Sequence, residues 1–148
     1  MAKQIFETTV SCRGGLEMKV EARGLTFILD EPESLGGTDK GMNPVEALLG
    51  ALGGCVGICI QSFAGAHNIK VKDFSVRLEG DLDPDGFMGL NPQAKKGFSE
   101  IRTFIDIEAE NTPEEIREFI KFVEATCPVN DTILNSPVSK MIVNGEII

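Results

Sequence analysis

Histidine is nearly absent from this chain, which carries His67 as its single histidine. One histidine cannot build the usual two-histidine zinc site. The same scarcity argues against a Cys/His nucleophile pair within one subunit. Four cysteines are present, so thiol redox chemistry moves ahead of hydrolysis as the first class of function to consider.

Positive charge is also scarce. The chain has 14 basic and 23 acidic side chains, a formal net charge of -9, and no basic run longer than Lys95-Lys96. A protein of this charge repels phosphate backbones. We therefore expect no nucleic acid partner.

The chain contains one long uncharged apolar segment, and it does not lie at the N-terminus. The first residues, Met1–Glu7, lack the apolar core of a signal peptide, so we expect a cytoplasmic protein with free thiols. The stretch Ala47–Ala66 is uncharged and long enough to raise the question of a membrane span. Gln61 and Ser62 interrupt it, and no Trp or Tyr flanks it. The pattern favours a fully buried central helix and no membrane association.

The length of 148 residues fits a single domain, 1–148, without a linker. Alternating residues and glycine turns predict an N-terminal meander, two long strands that pair as neighbours, and a last strand. Strand groups that flank helices without βαβ alternation indicate an α+β fold with antiparallel sheet. The predicted strands are Ile5–Cys12, Met18–Glu21, Leu25–Leu29, Val71–Asp81, Phe98–Glu108 and Val138–Ile148.

The first predicted helix begins with a capping signal and is rich in glycine. Asn43 is placed as the N-cap, Pro44 as the first helical residue and Glu46 as the acid of a capping box, and the helix is predicted to end near His67. Its interior glycines each cost about 1 kcal/mol relative to alanine. We expect close packing against a helix or a sheet around Cys55 to compensate for them.

The second predicted helix opens with a capping box at Thr112–Glu115 and carries an apolar stripe that ends at Cys127. Pro128 cannot continue the hydrogen bonds of that helix, but it can begin a new turn. Cys127 is therefore predicted to lie at the boundary between two elements, near unpaired backbone groups.

Glu46 and Cys55 share the first predicted helix but not one face of it. Their separation of nine positions sets them about 180° apart and roughly 13 Å along the axis of a straight helix. They cannot touch within one chain. Glu46 either reaches the site of Cys55 from a second subunit in a two-fold dimer, or serves only as a capping residue.

The segment Asn43–Cys55, NPVEALLGALGGC, and the later Cys-Pro-Val at residues 127–129 together resemble the OsmC/Ohr family of thiol-dependent peroxidases. The order of the predicted elements agrees over most of the chain. The Pro-x-Glu pattern from Pro44 to Glu46 resembles OsmC-like branches of that family. The resemblance implies an OsmC-like fold, with antiparallel sheets packed around two helices, and an intertwined homodimer with two sites at the subunit interface.

The resemblance also implies roles for individual residues. Cys55 would be the peroxidatic cysteine, and Cys127 would resolve it into a disulfide. Hydroperoxide reductase branches of the family use an arginine and a glutamate to activate the thiolate and position the peroxide, and the glutamate directly follows the motif proline. That position is Val45 here, with Glu46 one residue later. Arg13, in the first hairpin turn, is the candidate arginine.

Arg23 and Arg102 are the alternatives to Arg13 as the arginine that activates the thiolate.

The expected chemistry is the reduction of organic hydroperoxides in an antioxidant stress response, with an external dithiol as reductant and no cofactor. The alternative is a non-enzymatic dimer of the same fold that binds a small apolar ligand or senses redox state. Apolar residues that would favour organic peroxides, if they line the pocket, are Leu52, Val56, Phe63 and Phe119.

The two remaining cysteines, Cys12 and Cys59, are predicted to be small core residues. Cys59 follows Cys55 by one helical turn, a spacing at which the side chains are poorly aimed for a disulfide. A soft-metal site built from the four cysteines is conceivable, but no two of them have CxxC spacing. We therefore expect no metal.

Overall fold

The computed structural model describes residues 2–147; Met1 and Ile148 lie outside the described residues. The chain divides into two compact units, the first up to Gly50 and the second from Ala51. Helices are combined with antiparallel sheets, which confirms the predicted α+β class.

The first unit contains the predicted meander. Its three strands pair antiparallel in the order β1-β2-β3. Glycine allows the first hairpin to turn, since Gly14 and Gly15 have φ of 126° and 54°. Arg13 lies at a bulge, because the β1–β2 register shifts between Cys12 and Gly14. The strands are β1 (Thr9–Gly14), β2 (Glu17–Ala22) and β3 (Leu25–Leu29).

The polar loop after β3 is organised by Asp30, a buried carboxylate. Its oxygens accept a hydrogen bond from the Thr38 hydroxyl at 2.6 Å and bonds from the backbone N–H groups of Glu31, Thr38 and Lys40. These bonds, the Thr38 hydroxyl first, lower the pKa of Asp30 from 3.8 to about 2, although burial acts in the opposite direction. The loop is therefore ordered around one charge.

Helix α1 spans Pro44–Phe63, and its predicted capping box is confirmed. The N–H of Asn43 donates to Oε2 of Glu46 at 2.9 Å, and the N–H of Glu46 donates to Oδ1 of Asn43 at 2.9 Å. The helix ends at Phe63, four residues before the predicted end. A turn then leads to Asn68, whose φ is 56°, before the chain enters the next strand.

The second unit pairs two long strands, β4 and β5, antiparallel along their length, as predicted. Thr112 and Glu115 form the second capping box, and Pro128 begins a new helix directly after Cys127. The elements are β4 (Val71–Asp81), a short α2 (Pro84–Phe87), β5 (Glu100–Ala109), α3 (Pro113–Thr126) and α4 (Pro128–Leu134).

Two glycines of α1 let the helix approach the β4–β5 sheet closely. A Cβ atom on Gly53 would lie 2.6 Å from Cδ1 of Leu78, and one on Gly57 would lie 3.2 Å from Cε2 of Phe74. This confirms the predicted close packing for these two positions. The buried core on this side contains Leu52, Val56, Cys59, Ile60, Ala64, Ile69, Phe119, Val123 and Cys127.

The opposite face of α1 is exposed, so the predicted full burial of this helix is wrong. Only 28% of its most apolar window is buried, although the helix is long and apolar enough to span a membrane by length and composition. Ile58 is 69% exposed, and Cβ atoms on Gly50 or Gly54 would meet nothing within 4 Å. The sheet and α3 cover one side of the helix only, so burial within the chain is one-sided.

The predicted last strand is wrong as a single element. The chain forms a short antiparallel hairpin of β6 (Ile142–Val143) and β7 (Glu146–Ile147). Asn144 and Gly145 both have positive φ, 51° and 88°, and Asn-Gly favours such a tight turn. The predicted end at Ile148 lies outside the described residues.

Candidate active site: a cluster of three thiols

Cys55 lies in the second half of α1, where its side chain is half-buried and the thiol is free. Leu52 and Cys59, its neighbours at helical spacing, and the adjacent Val56 are all buried. The close approach of α1 to the sheet at Gly53 and Gly57 therefore fixes the part of the helix that carries Cys55.

Cys127 joins α3 to α4 and is fully buried. Its N–H donates to the carbonyl of Val123 at 3.0 Å, and its own carbonyl accepts from the N–H of Asp131 at 3.0 Å. The Sγ accepts from the N–H of Asn130 at 3.5 Å. Both helices therefore hold this residue, and the predicted element boundary at Cys127 is confirmed.

The two cysteines that the sequence singled out come together. The thiol of Cys127 donates to Sγ of Cys55, and the two sulfur atoms are 2.9 Å apart. A disulfide bond is about 2.05 Å long, so less than about 1 Å of movement separates these thiols from a covalent bond. They belong to different helices, and their positions 72 residues apart in the sequence gave no direct sign of contact.

Cys59 is the third member of the cluster, and the sequence argument missed this. It is buried, as predicted, but its sulfur lies with those of Cys55 and Cys127, all within 4.8 Å of one another. The signal was available, because residues four apart share a helix face. Cys12, predicted as a core residue, is instead exposed on β1, a strand exposed along its whole length.

Burial dominates the acid–base behaviour of the two inner thiols. It raises the pKa of Cys127, and the neighbouring Cys55 sulfur raises it further, whereas the N–H of Asn130 acts in the opposite direction. Burial also raises the pKa of Cys59, and the charge of Cys127 adds to the effect. Both side chains therefore favour the protonated thiol over the thiolate at neutral pH.

Arg102, a rival for the activating arginine, is occupied by carboxylates. Its guanidinium bonds both oxygens of Asp81, at 2.7 and 2.8 Å, and also Glu100 at 2.8 Å and Glu79 at 3.3 Å. The pKa of Arg102 is raised, first by Asp81 and then by Glu100. The residue ties β4 to β5 on a surface of the sheet.

Arg13 and Glu46 both belong to the first unit. Arg13 is exposed at the bulge of β1, and Arg23 is exposed in the turn between β2 and β3 with φ of 54°. One carboxylate oxygen of Glu46 caps α1, so the capping role is observed. The roles of Arg13 and Glu46 toward Cys55 stay predictions.

A cavity of about 520 Å³, lined by nine apolar and six polar or charged residues, lies in the second unit between α1, β5, α3 and α4. Its lining includes Leu52 and Val56 but none of Cys55, Cys59 and Cys127, so the role of these apolar residues in selecting organic substrates stays a prediction. Phe63 and Phe119 do not line it. Phe119 is buried in the core, and Phe63 packs edge-on against Phe122 with ring centroids 5.3 Å apart.

Comparison with known proteins agrees with this fold. The family described as OsmC-like protein matches residues 37–141, which is most of the chain. The chain belongs to this family, and the resemblance seen in the sequence is confirmed.

Two curated relatives and one solved structure illustrate the likeness. The Hydroperoxide reductase of Mycoplasma genitalium is 31% identical over 97 residues, which cover 64% of this chain and 63% of that protein. The Hydroperoxide reductase of Mycoplasma pneumoniae is 30% identical over 114 residues, 75% of each chain. The crystal structure of an OsmC like protein from Mycoplasma pneumoniae superposes with a TM-score of 0.76 at 25% identity and covers 91% of each chain.

Proposed function

We propose that this protein is a thiol-dependent peroxidase that reduces organic hydroperoxides. The observation that supports the proposal most is the 2.9 Å separation of the sulfur atoms of Cys55 and Cys127. A thiol that forms a sulfenic acid needs a second thiol at this range to be converted into a disulfide. The curated relatives from both Mycoplasma species carry the name Hydroperoxide reductase, which agrees with this chemistry.

The proposed reaction has three steps. The Cys55 thiolate attacks the terminal oxygen of the hydroperoxide and the O–O bond breaks, so that Cys55 becomes a sulfenic acid while the alkoxide leaves and takes a proton from solvent to become an alcohol. The sulfur of Cys127 then attacks the sulfur of Cys55, a disulfide forms, and water is released. An external dithiol reduces the disulfide by thiol exchange and restores both thiols. We place this cycle in a reducing cytoplasm, where such dithiols are available.

Cys55 is the attacking thiol because it is the more accessible of the pair. It is half-buried, whereas Cys127 is fully buried. Peroxide reaches Cys55 first, and burial raises the pKa of Cys127, which disfavours the thiolate of that residue and therefore its own reaction with peroxide. Leu52 and Val56, which lie on either side of Cys55 in the sequence of α1, line a cavity of mixed polarity, and we propose that the organic group of the substrate packs against them.

We further propose that the active form is a homodimer. The outer face of α1 is apolar and exposed, with Ile58 at 69% exposure and open space above Gly54. An apolar face of this kind marks an interaction surface, and a two-fold axis would place the same face of a second copy against it. In this dimer Arg13 and Glu46 would complete the site, with the arginine stabilising the Cys55 thiolate and the glutamate orienting the arginine.

The proposal is tested by intact mass after reduced protein receives one equivalent of cumene hydroperoxide and then iodoacetamide. The wild type is expected to lose two hydrogens and to offer two fewer thiols for alkylation. Cys127→Ser should instead retain an oxygen on Cys55 that dimedone captures. Cys12→Ser is the matched control, because this exposed thiol lies outside the cluster. Unchanged mass in both the wild type and Cys127→Ser would contradict the proposal.

The role of Glu46 is separable from its capping role. Glutamine also serves in a capping box, so Glu46→Gln should leave the stability of the fold nearly unchanged while slowing the oxidation of Cys55. Asn43→Ala removes the other half of the box and should lower stability by about 1 kcal/mol without slowing the oxidation. Equal oxidation rates in Glu46→Gln and the wild type would leave Glu46 as a capping residue only.

A second candidate function is the binding of a small apolar ligand without catalysis. The cavity of about 520 Å³ beside α1 supports it, because cavities of this size accept small molecules. Under this reading the protein would leave cumene hydroperoxide unchanged and native mass spectrometry would retain an apolar ligand. Consumption of the peroxide with a dithiol present would favour the peroxidase instead.

A further inference from the structure

Cys59 has no part in the proposed two-thiol cycle, yet it lies with the two thiols that do. Cys55 and Cys59 are one turn apart on the same face of α1, and Cys127 faces them from the junction of α3 and α4. The three sulfur atoms lie within 4.8 Å of one another. Three buried or half-buried thiols at this range are more than a disulfide requires.

The spacing of the sulfurs fits a metal ion. Zinc–thiolate bonds are about 2.3 Å long, so two sulfurs on one tetrahedral zinc ion are about 3.8 Å apart. The sulfur atoms of Cys55 and Cys127 are 2.9 Å apart, and all three sulfurs lie within 4.8 Å of one another, a range that includes this value. Small rotations of the side chains would bring all three sulfurs to the same distance from a central ion.

We propose that Cys55, Cys59 and Cys127 form a three-thiolate site for a thiophilic d10 metal ion, Zn²⁺ or Cu⁺. Soft thiolates select such ions over hard cations. The half-buried position of Cys55 leaves one side of the site open, as a tetrahedral ion with three protein ligands and one exchangeable ligand requires. A trigonal Cu⁺ ion would use the three sulfurs alone.

A zinc ion would neutralise most of the charge that the three thiolates bring into the core. Three thiols give up three protons to solvent when Zn²⁺ binds, and three thiolates around a divalent ion carry a net charge of -1. The N–H of Asn130 already points at the sulfur of Cys127, which supports a thiolate at that position. Because metal binding releases these protons, it should weaken as the pH falls.

Metal binding and the proposed peroxidase cycle would exclude each other. A bound ion occupies the electron pairs of Cys55 and Cys127 that attack the peroxide and the sulfenic acid. The disulfide in turn removes two of the three ligands, so oxidation would release the ion. This regulatory consequence rests on the proposed function, whereas the metal site itself does not.

The site is tested with reduced, metal-free, full-length protein and Cd²⁺ as the probe, since thiolate-to-cadmium charge transfer is read in the ultraviolet. The wild type is expected to bind one ion per chain. Cys59→Ser and Cys59→Ala are expected to bind more than about tenfold more weakly, because each removes a ligand, and Cys12→Ser should bind as the wild type does. Equal affinity in the wild type and both Cys59 variants would overturn the proposal.

A second measurement separates this site from the peroxidase. Oxidation by cumene hydroperoxide is first measured without metal for the wild type and for Cys59→Ala, so that each protein provides its own reference rate. Stoichiometric Zn²⁺ should then slow oxidation of the wild type at least tenfold more than that of the variant. If neither protein reacts with peroxide, the peroxidase proposal fails while cadmium binding still decides the metal site. Equal slowing of both proteins by Zn²⁺ would contradict a role for Cys59 in metal binding.

Discussion

Replacement of Gly53 by alanine tests the close packing that positions Cys55. A Cβ atom at this position would lie 2.6 Å from Cδ1 of Leu78 and 3.9 Å from Cγ1 of Val76. Carbon atoms in good contact are about 3.5 to 4.0 Å apart, so the helix or Leu78 must move by about 1 Å. Overpacking of this kind costs about 1 to 3 kcal/mol, whereas alanine gains about 1 kcal/mol in helix propensity over glycine.

The expected net effect of Gly53→Ala is a loss of about 1 kcal/mol in the free energy of unfolding. For a chain of this size that loss lowers the thermal midpoint by roughly 2 to 4 °C. Urea unfolding followed by circular dichroism measures the free energy, and a heat scan measures the midpoint. Because α1 would be displaced from the sheet, formation of the Cys55–Cys127 disulfide should also slow.

Leu78→Ala provides the matched background, because it removes the methyl group that the new Cβ would meet. Leu78→Ala alone should cost about 2 to 5 kcal/mol. In this background Gly53→Ala should become stabilising by up to about 1 kcal/mol, which gives a coupling energy near 2 kcal/mol between the two positions. Equal destabilisation by Gly53→Ala in both backgrounds would refute the packing argument.

Three further predictions concern charge, association and pH. The pKa of Asp30 is lowered from 3.8 to about 2, so its contribution to the free energy of unfolding is fully present above pH 3.8 and is lost as the pH falls through about 2. Acid titration followed by circular dichroism should show this loss of stability in the wild type and not in Asp30→Asn. Ile58→Glu should convert a dimer to a monomer in sedimentation, and a monomeric wild type would contradict the proposed interface. The rate at which oxidised Cys55 forms the disulfide with Cys127 should rise up to about tenfold per pH unit across neutral pH, because burial raises the pKa of Cys127. Stopped-flow alkylation measures this rate, and a rate that does not change with pH would contradict a protonated Cys127.

Local signals predicted most elements of the fold. Both capping boxes are present, at Asn43–Glu46 and Thr112–Glu115, because a cap depends only on residues within one turn. The paired strands β4 and β5 follow from alternation over ten or more residues. The last hairpin was predicted as one strand, although the Asn-Gly pair at Asn144 is typical of a tight turn.

Exposure and long-range contacts were harder to predict. The strand that carries Cys12 has the alternation of a buried strand but lies exposed, since burial depends on what covers it. The uncharged run in α1 predicted burial on all sides, and the sheet covers one face only. A sequence records which faces are apolar, whereas the surface that covers them depends on the packing of other elements or of a second chain.

The candidate site was predicted in part. Cys55 and Cys127 were selected from their helical settings and from the family resemblance, and their sulfurs do meet. Cys59 was assigned to the core because the disulfide geometry of residues one turn apart is poor. A metal site built from the four cysteines was set aside because no two of them have CxxC spacing, and a cluster of three thiols across two helices becomes visible only when the helices are packed.

The most direct test of the account is the disulfide that forms in reduced protein after one equivalent of hydroperoxide. Proteolysis under acidic, alkylating conditions followed by peptide mass analysis identifies the linked cysteines. The account predicts that the peptides of Cys55 and Cys127 are joined while Cys59 and Cys12 remain alkylated thiols. Oxidised protein in which Cys127 is still a free thiol would contradict the two-cysteine cycle.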